Sequence, residues 1–303
     1  MVVESLFPVF ALLTLGAALK HYGLTTPSFL ATSDRLVYFI FFPALLFWKI
    51  GAGSASMADH GGYLLAAACA VLSVHLLSTL FILWRVPPFQ AGSFSQSCYR
   101  FNTYIGMAVV LGAFGEPGVR YFGILIGFLI PLINVLAVST LIWFSGNAYS
   151  ARQRFRMTAR ALVSNPLIIA CAAGLAYAGL IGEFPVYIEN FFRLSASITL
   201  PLALLSIGGS LTLSGAKGNL GLSTAAALFK LVVLPLAGWG FLRLFSVEAL
   251  PFKVCLVFFA LPASTAIYVL SAQLNSDTQL ASAAIVLSTL LSAVSLTIVL
   301  TTL

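Results

Sequence analysis

Cut at its polar, glycine and proline punctuation, the chain falls into ten apolar blocks: approximately residues 5–20, 31–50, 62–84, 91–114, 119–144, 164–181, 186–212, 222–243, 251–274 and 280–302. Each is long enough, as a helix, to cross roughly 30 Å of hydrocarbon. The connections are short and no soluble domain interrupts them. The pattern predicts an all-α polytopic membrane protein with ten transmembrane helices, and it disfavours a receptor or enzyme with an extramembrane working part.

The blocks repeat. At one fixed shift of 158 residues, Pro8 meets Pro166, Gly16 meets Gly174, Pro27 meets Pro185, Pro43 meets Pro201 and Gly51 meets Gly209, while Arg35-Leu36 meets Arg193-Leu194. Random apolar sequence matches leucine and alanine freely, but not backbone-shaping residues and an arginine in one register. The reading is an internal duplication: residues 1–150 as a first five-helix repeat, 151–163 as a basic linker and 164–303 as a second repeat. Five is odd, so the second copy enters the membrane from the opposite side. That is the inverted-repeat architecture of many secondary transporters.

In blocks four and nine the register slips to 163, where Pro88-Phe89 meets Pro251-Phe252. Beyond these pairs lie "SQSCYRFNTYIGM" and "FFALPASTAIY". Pro262 removes an amide donor and crowds the preceding turn, and Ser264 and Thr265 can bond the backbone it frees. Two corresponding interrupted spans point to a binding site at the membrane midplane. The two breaks are therefore expected to face each other, Asn102 and Pro262 within about two helix diameters, roughly 20–24 Å.

Composition sharpens the class: 60% of residues are apolar and 8% are charged. The net charge of +7 would suggest nucleic acid in a soluble protein, but the basic residues here are mostly scattered singly, so no nucleic-acid partner is expected. They serve better as a topology signal. "ARQRFRMTAR" (151–160) carries Arg152, Arg154, Arg156 and Arg160 with no acid, which makes it cytoplasmic by the positive-inside rule. Lys20, Arg35, Arg85 and Lys217 then share its side, Lys49, Arg120, Arg193, Arg243 and Lys253 lie opposite, and both termini face outward. The other reading of this arginine run is a lipid or partner site. The first block follows Glu4 and lacks a positive leading region, so it reads as a retained helix. Cys69, Cys98, Cys171 and Cys255 lie in apolar blocks at spacings that match no zinc or redox motif; no metal or cofactor is expected and the redox compartment stays open.

The acids Glu4, Asp34, Asp59, Glu116, Glu183, Glu189, Glu248 and Asp277 fall in or next to connections. Arg100 and Lys230 sit inside blocks, with His75 as a third titratable residue at depth. A charge at the bilayer centre costs about 2.5–3.5 kcal/mol on the lenient insertion scale. Snorkelling, carbonyls freed at a helix break, or an anionic ligand could offset it. Arg100 lies about ten residues, roughly 15 Å, into its block, too deep for easy snorkelling. Lys230 precedes Pro235 and can snorkel or bind freed carbonyls. A break at Asn102 presents amide donors and a half-helix N-terminus beside Arg100, which favours a carboxylate.

In order and spacing, "LFPVFALLTLGAAL", "FPALLF", the Asn102 break, "LIPLINVLAV", "NPLIIACAAGL", "LPLALLSIGGSL", "KLVVLP" and "LPASTAIYVLSAQL" resemble the auxin efflux carrier family, also called PIN-like transporters, including bacterial members associated with malate or malonate. The resemblance covers essentially the whole chain. It implies broken helices four and nine that cross at their breaks, a moving transport part of helices three to five and eight to ten, and a scaffold of helices one, two, six and seven that also makes a homodimer. After Asn102 this chain reads Gly106-Met107-Ala108, where plant-type members carry a proline.

The candidate substrate-binding residues are Arg100, Asn102, Thr103, Tyr104, Asn134, Lys230, Pro262, Ser264 and Thr265. Gly106, Pro43, Pro131, Pro201 and Pro262 are candidate hinge or crossover positions, and His75 is the candidate proton carrier. The expected function is a secondary transporter of a small organic anion, a carboxylate, working by elevator-type alternating access in the lipid bilayer of a bacterial inner membrane. The alternatives are a sodium-coupled organic-anion symporter of the bile-acid type, which wants clustered oxygen ligands, and an anion channel. A hydrolase is disfavoured: there is no His-Glu-x-x-His or Gly-x-Ser-x-Gly motif, and "GGSLTLSGAKGNLG" (208–221) lacks the ending of a phosphate-binding loop.

Overall fold

The computed structural model describes residues 2–52, 61–144, 150–210, 219–247 and 249–303. Asp59, Lys217, Glu248 and most of the glycine-rich stretch 208–221 lie outside the described residues. Among those described, the regular elements are helices: α1 (Val2–His21), α2 (Pro27–Gly51), α3 (Gly61–Arg85), α4 (Pro88–Tyr99), α5 (Thr103–Phe144), α6 (Ala151–Val163), α7 (Pro166–Leu180), α8 (Val186–Ser210), α9 (Leu220–Leu244), α10 (Ala249–Ala260), α11 (Ala266–Gln273) and α12 (Thr278–Thr302). Seven of them, α1, α2, α3, α5, α8, α9 and α12, are long and apolar enough to cross a membrane. The chain is a polytopic all-α membrane protein.

Three blocks depart from a single full-length helix. Block four splits between α4 and α5, and block nine splits into α10 and α11. Block six shortens to the 15 residues of α7, about 22 Å. Asn165 fixes the start of α7 by accepting from the Leu167 and Ile168 amides, and Gly182, at φ +81, follows its end. As one rod, the 42 residues of α5 would measure about 63 Å, twice the hydrocarbon thickness. Gly115 breaks it with φ 62 and ψ −157, a conformation open essentially to glycine alone.

The basic segment is also not the loop its charge suggests. Ser150 Oγ accepts from the Gln153 amide while Gln153 Oε1 accepts from the Ser150 amide, a reciprocal cap that starts α6. The following "ARQRFRMTARALV" contains no glycine or proline and is rich in good helix formers.

Two compact units emerge. The first comprises residues 1–61, 107–128 and 163–211, hence α1, α2, α7, α8 and the middle of α5. Its seams are made by glycine against backbone. A Cβ at Gly16 would collide with the Leu205 carbonyl, and one at Gly208 with the Leu13 carbonyl, so α1 and α8 touch main chain to main chain. Gly174 of α7 approaches α2 in the same way but less closely, where a Cβ would stand 3.1 Å from the Phe47 carbonyl. Adding 158 to Gly16 gives Gly174, and subtracting 158 from Leu205 gives Phe47. One contact therefore occurs twice, at the shift that relates the two halves of the sequence. Beside the Gly115 kink, Glu116 receives the Lys49 ammonium at 2.7 Å.

The second unit comprises residues 62–106, 129–162 and 212–303. Here α9 packs against α4 and α12, and α12 also holds α10 and α11. A polar seam ties α4 to the segment around the start of α12. Ser93 Oγ lies within hydrogen-bond distance of Ser271 Oγ (2.8 Å) and Ser276 Oγ (3.0 Å), and Gln96 Nε2 donates to Ser271 Oγ at 3.2 Å. Gln90 Nε2 donates to Asp277 Oδ2, whose other oxygen caps α12 through the Gln279 and Leu280 amides. Both π-helical turns, Val37–Phe41 in α2 and Phe229–Val233 in α9, lie just before a proline, Pro43 and Pro235. Each widens the helix where a proline cannot donate and its ring crowds the preceding turn.

Candidate functional site

Both helix breaks belong to the second unit, and they meet. The chain leaves α4 at Arg100, which is extended (φ −74, ψ 124), and re-enters helix at Thr103. It leaves α10 after Ala260 and re-enters at Ala266. Phe101 and Ala263 form an isolated antiparallel bridge. Across it the Asn102 amide donates to the Pro262 carbonyl at 2.9 Å, and the Ser264 amide donates to the Arg100 carbonyl at 3.2 Å. Two broken spans each lack hydrogen-bond partners along their own axis, and in hydrocarbon an unmade backbone bond is costly. Pairing the two breaks with each other supplies two of the missing bonds.

Side chains and the next turn of helix close off further polar backbone. Asn102 Oδ1 accepts from the Tyr104 and Ile105 amides, each at 3.1 Å, and so caps α5. The Asn102 carbonyl takes the Gly106 amide at 3.0 Å. On the opposite side Ser264 Oγ accepts from the Ala266 amide at 3.3 Å. Two serines of α12 reach the second break: Ser288 Oγ accepts from the Ala263 amide, and Ser295 Oγ donates to the Ala260 carbonyl. Lys230 completes the set by donating from Nζ to the Phe259 carbonyl at 2.9 Å. It is fully buried, and among the described residues its ammonium has no carboxylate partner. Its countercharge is the partial negative charge at the C-terminal end of α10.

After this accounting several donors stay open. Asn102 is 1% exposed and its Nδ2 has no partner among the described residues. The amides of Thr103 and Thr265, the residues at the two re-entry points, have no acceptor among the described residues. Both residues are half-buried, as are Arg100, Tyr104 and Ser264. Open main-chain N–H groups at Thr103 and Thr265 and the Asn102 amide nitrogen thus lie at the paired breaks, and N–H groups at helix starts favour an anion.

Of the candidate residues, Arg100, Asn102, Thr103, Tyr104, Pro262, Ser264 and Thr265 are brought together at the paired breaks. Gly106 sits one turn into α5. Lys230 is tied into the wall behind α10. His75 of α3 lies edge-on to Tyr99, ring centroids 5.5 Å apart, with Nδ1 buried and unpartnered among the described residues. Asn134 is buried in the second part of α5, and among the described residues no hydrogen bond joins it to the breaks. Pro43 and Pro201 belong to the first unit, and Pro131 continues helical within α5. Sequence reasoning passed over Ser288 and Ser295. Their signal is hydroxyls seven residues apart, one face of an otherwise apolar span.

A comparison with curated proteins gives no match. A family model described as membrane transport protein matches residues 1–300.

Proposed function

Because the chain belongs to the auxin efflux carrier, or PIN-like, family of membrane transport proteins, we propose that it is a secondary carrier of a small carboxylate, which binds at the paired breaks and crosses by elevator-type alternating access. The observation that carries this reading is the bridge at Phe101 and Ala263, which gathers two helix starts, Arg100 and the open Asn102 amide at one point. Carboxylate oxygens would accept from Asn102 Nδ2 and the Thr103 and Thr265 amides, with Arg100 supplying the balancing charge. The division into an inverted pair of five-helix repeats is supported by the recurrence of the Gly16–Leu205 contact as Gly174–Phe47. The first unit, with α1, α2, α7 and α8, would be the scaffold and dimer surface, and the second the moving part. In the sodium-coupled alternative a cation needs free oxygens near the breaks, and the Phe259 carbonyl already holds the Lys230 ammonium.

The test is uptake of labelled mono- and dicarboxylates into proteoliposomes, with imposed sodium and proton gradients. Saturable uptake with counterflow is expected; flux without counterflow would indicate a channel. For a substrate so found, Arg100→Gln should weaken binding by about 10- to 150-fold, the loss of a charge-assisted bond worth about 1.5–3 kcal/mol. An unchanged ligand-induced thermal shift would remove Arg100 from the site.

A further inference from the structure

Between two apolar helices, α6 carries Arg152, Arg154, Arg156 and Arg160 and not one acid. Arg152, Arg156 and Arg160 are four residues apart, so they form one row along the helix. Phe155, Ala159 and Val163 form a second row alongside, about a sixth of a turn away. The arginines of the first row are exposed. Phe155 is 76% exposed and Val163 78%, although both are large and apolar. Among the described residues of the second unit, nothing covers Phe155.

The ends of α6 fix where it can be. It starts seven residues beyond Phe144, the end of α5, and Val163 lies three residues before Pro166, the start of α7. Extended chain covers at most about 3.6 Å per residue, so the C-terminal end of α6 lies within about 11 Å of the start of α7 and its N-terminal end within about 25 Å of the end of α5. α5 is long and apolar enough to cross the membrane and α7 is a shorter apolar helix, so the connection that holds α6 between them belongs at the membrane surface. A helix with a basic row beside an apolar row in that position fits the boundary between headgroups and acyl chains. The long arginine side chains can rise from that depth to the phosphate level.

We propose that α6 is an in-plane interfacial helix that buries Phe155 and Val163 among acyl chains and binds anionic phospholipid headgroups through Arg152, Arg156 and Arg160. The occupant is the bilayer around the protein, selected by charge: a row of guanidiniums with no neighbouring carboxylate on the same helix complements a phosphate-rich surface. This surface is separate from the carboxylate site and assumes nothing about the cargo.

Two measurements on the full chain in nanodiscs test it. In a Cys69→Ala background, spin labels placed by Phe155→Cys and by Gln153→Cys lie about 200° apart around the helix. The label at 155 should be relaxed mainly by oxygen and the label at 153 mainly by a water-soluble nickel chelate; equal nickel accessibility at both would overturn interfacial burial. In the second measurement, thermal unfolding is compared in phosphatidylcholine alone and in a three-to-one mixture with phosphatidylglycerol, where the wild type should unfold several degrees higher. R152Q/R156Q/R160Q, with unchanged behaviour in phosphatidylcholine, should lose that increment. A wild type indifferent to phosphatidylglycerol, or a triple variant that keeps the increment, would overturn the headgroup site.

Discussion

The two ends of the Asn102 amide differ: the oxygen closes the first turn of α5, and the nitrogen, which the proposed site would use, is buried with no partner among the described residues. Two substitutions separate them. Asn102→Ala removes both and should lower stability by about 0.5–2 kcal/mol, the usual cost of a lost cap. Asn102→Ser keeps an oxygen at the cap and deletes the nitrogen, so it should unfold near the wild-type temperature yet bind the proposed carboxylate less tightly. Thermal unfolding with and without substrate reads both quantities, and a serine variant with undiminished ligand shift would confine Asn102 to capping. The place of Arg100 and Asn102 at a helix break was legible in the sequence because polar groups stand out in an apolar block. The role of Lys230 was legible only in outline. Its partner is a main-chain carbonyl 29 residues away, and a carbonyl has no letter of its own.

At the scale of elements, the glycines of α1 and α8 are under a constraint that other glycines escape. Gly16→Val and Gly208→Val would each push a side chain into facing main chain, which cannot rotate aside. Losses of about 1–3 kcal/mol or more are expected, visible as a fall in unfolding temperature and in membrane yield. Gly221 and Gly240 of α9 have open space at the corresponding point, and Gly240→Ala should raise stability by about 0.5–1 kcal/mol. A Gly16→Val protein as stable as wild type would remove the seam from the account of the fold. The 158-residue register marked Gly16 and Gly174 from the sequence, but not their partners Leu205 and Phe47, since leucine and phenylalanine match too freely to stand out. The helical state of α6 was missed for a different reason. Its four arginines drew attention to charge, while the start signal is the modest pair Ser150 and Gln153.

For the molecule as a whole, the ten-block pattern gave the class, while the grouping into two units depends on contacts between distant blocks that no local pattern encodes. If the halves are inverted five-helix repeats, positions in α6 and at the end of α12 lie on opposite sides of the membrane. Cysteines introduced by Gln153→Cys and Leu303→Cys should then react with an impermeant reagent from opposite faces; reaction of both from one face would exclude an odd number of crossings between them. Lys230 adds a constraint on the order of assembly. The ribosome completes α9 before it makes Phe259, so the helix meets the insertion machinery with an ammonium for which the receiving carbonyl does not yet exist. A lysine at the centre of a span opposes insertion by about 2.5–3.5 kcal/mol. A nascent chain stopped at Val247 should therefore leave α9 incompletely inserted, and Lys230→Leu in that truncated chain should correct it, as scored by glycosylation of an acceptor site appended after α9. In the full chain the two forms should insert alike, because α10 arrives as a late template and draws its neighbour into the bilayer.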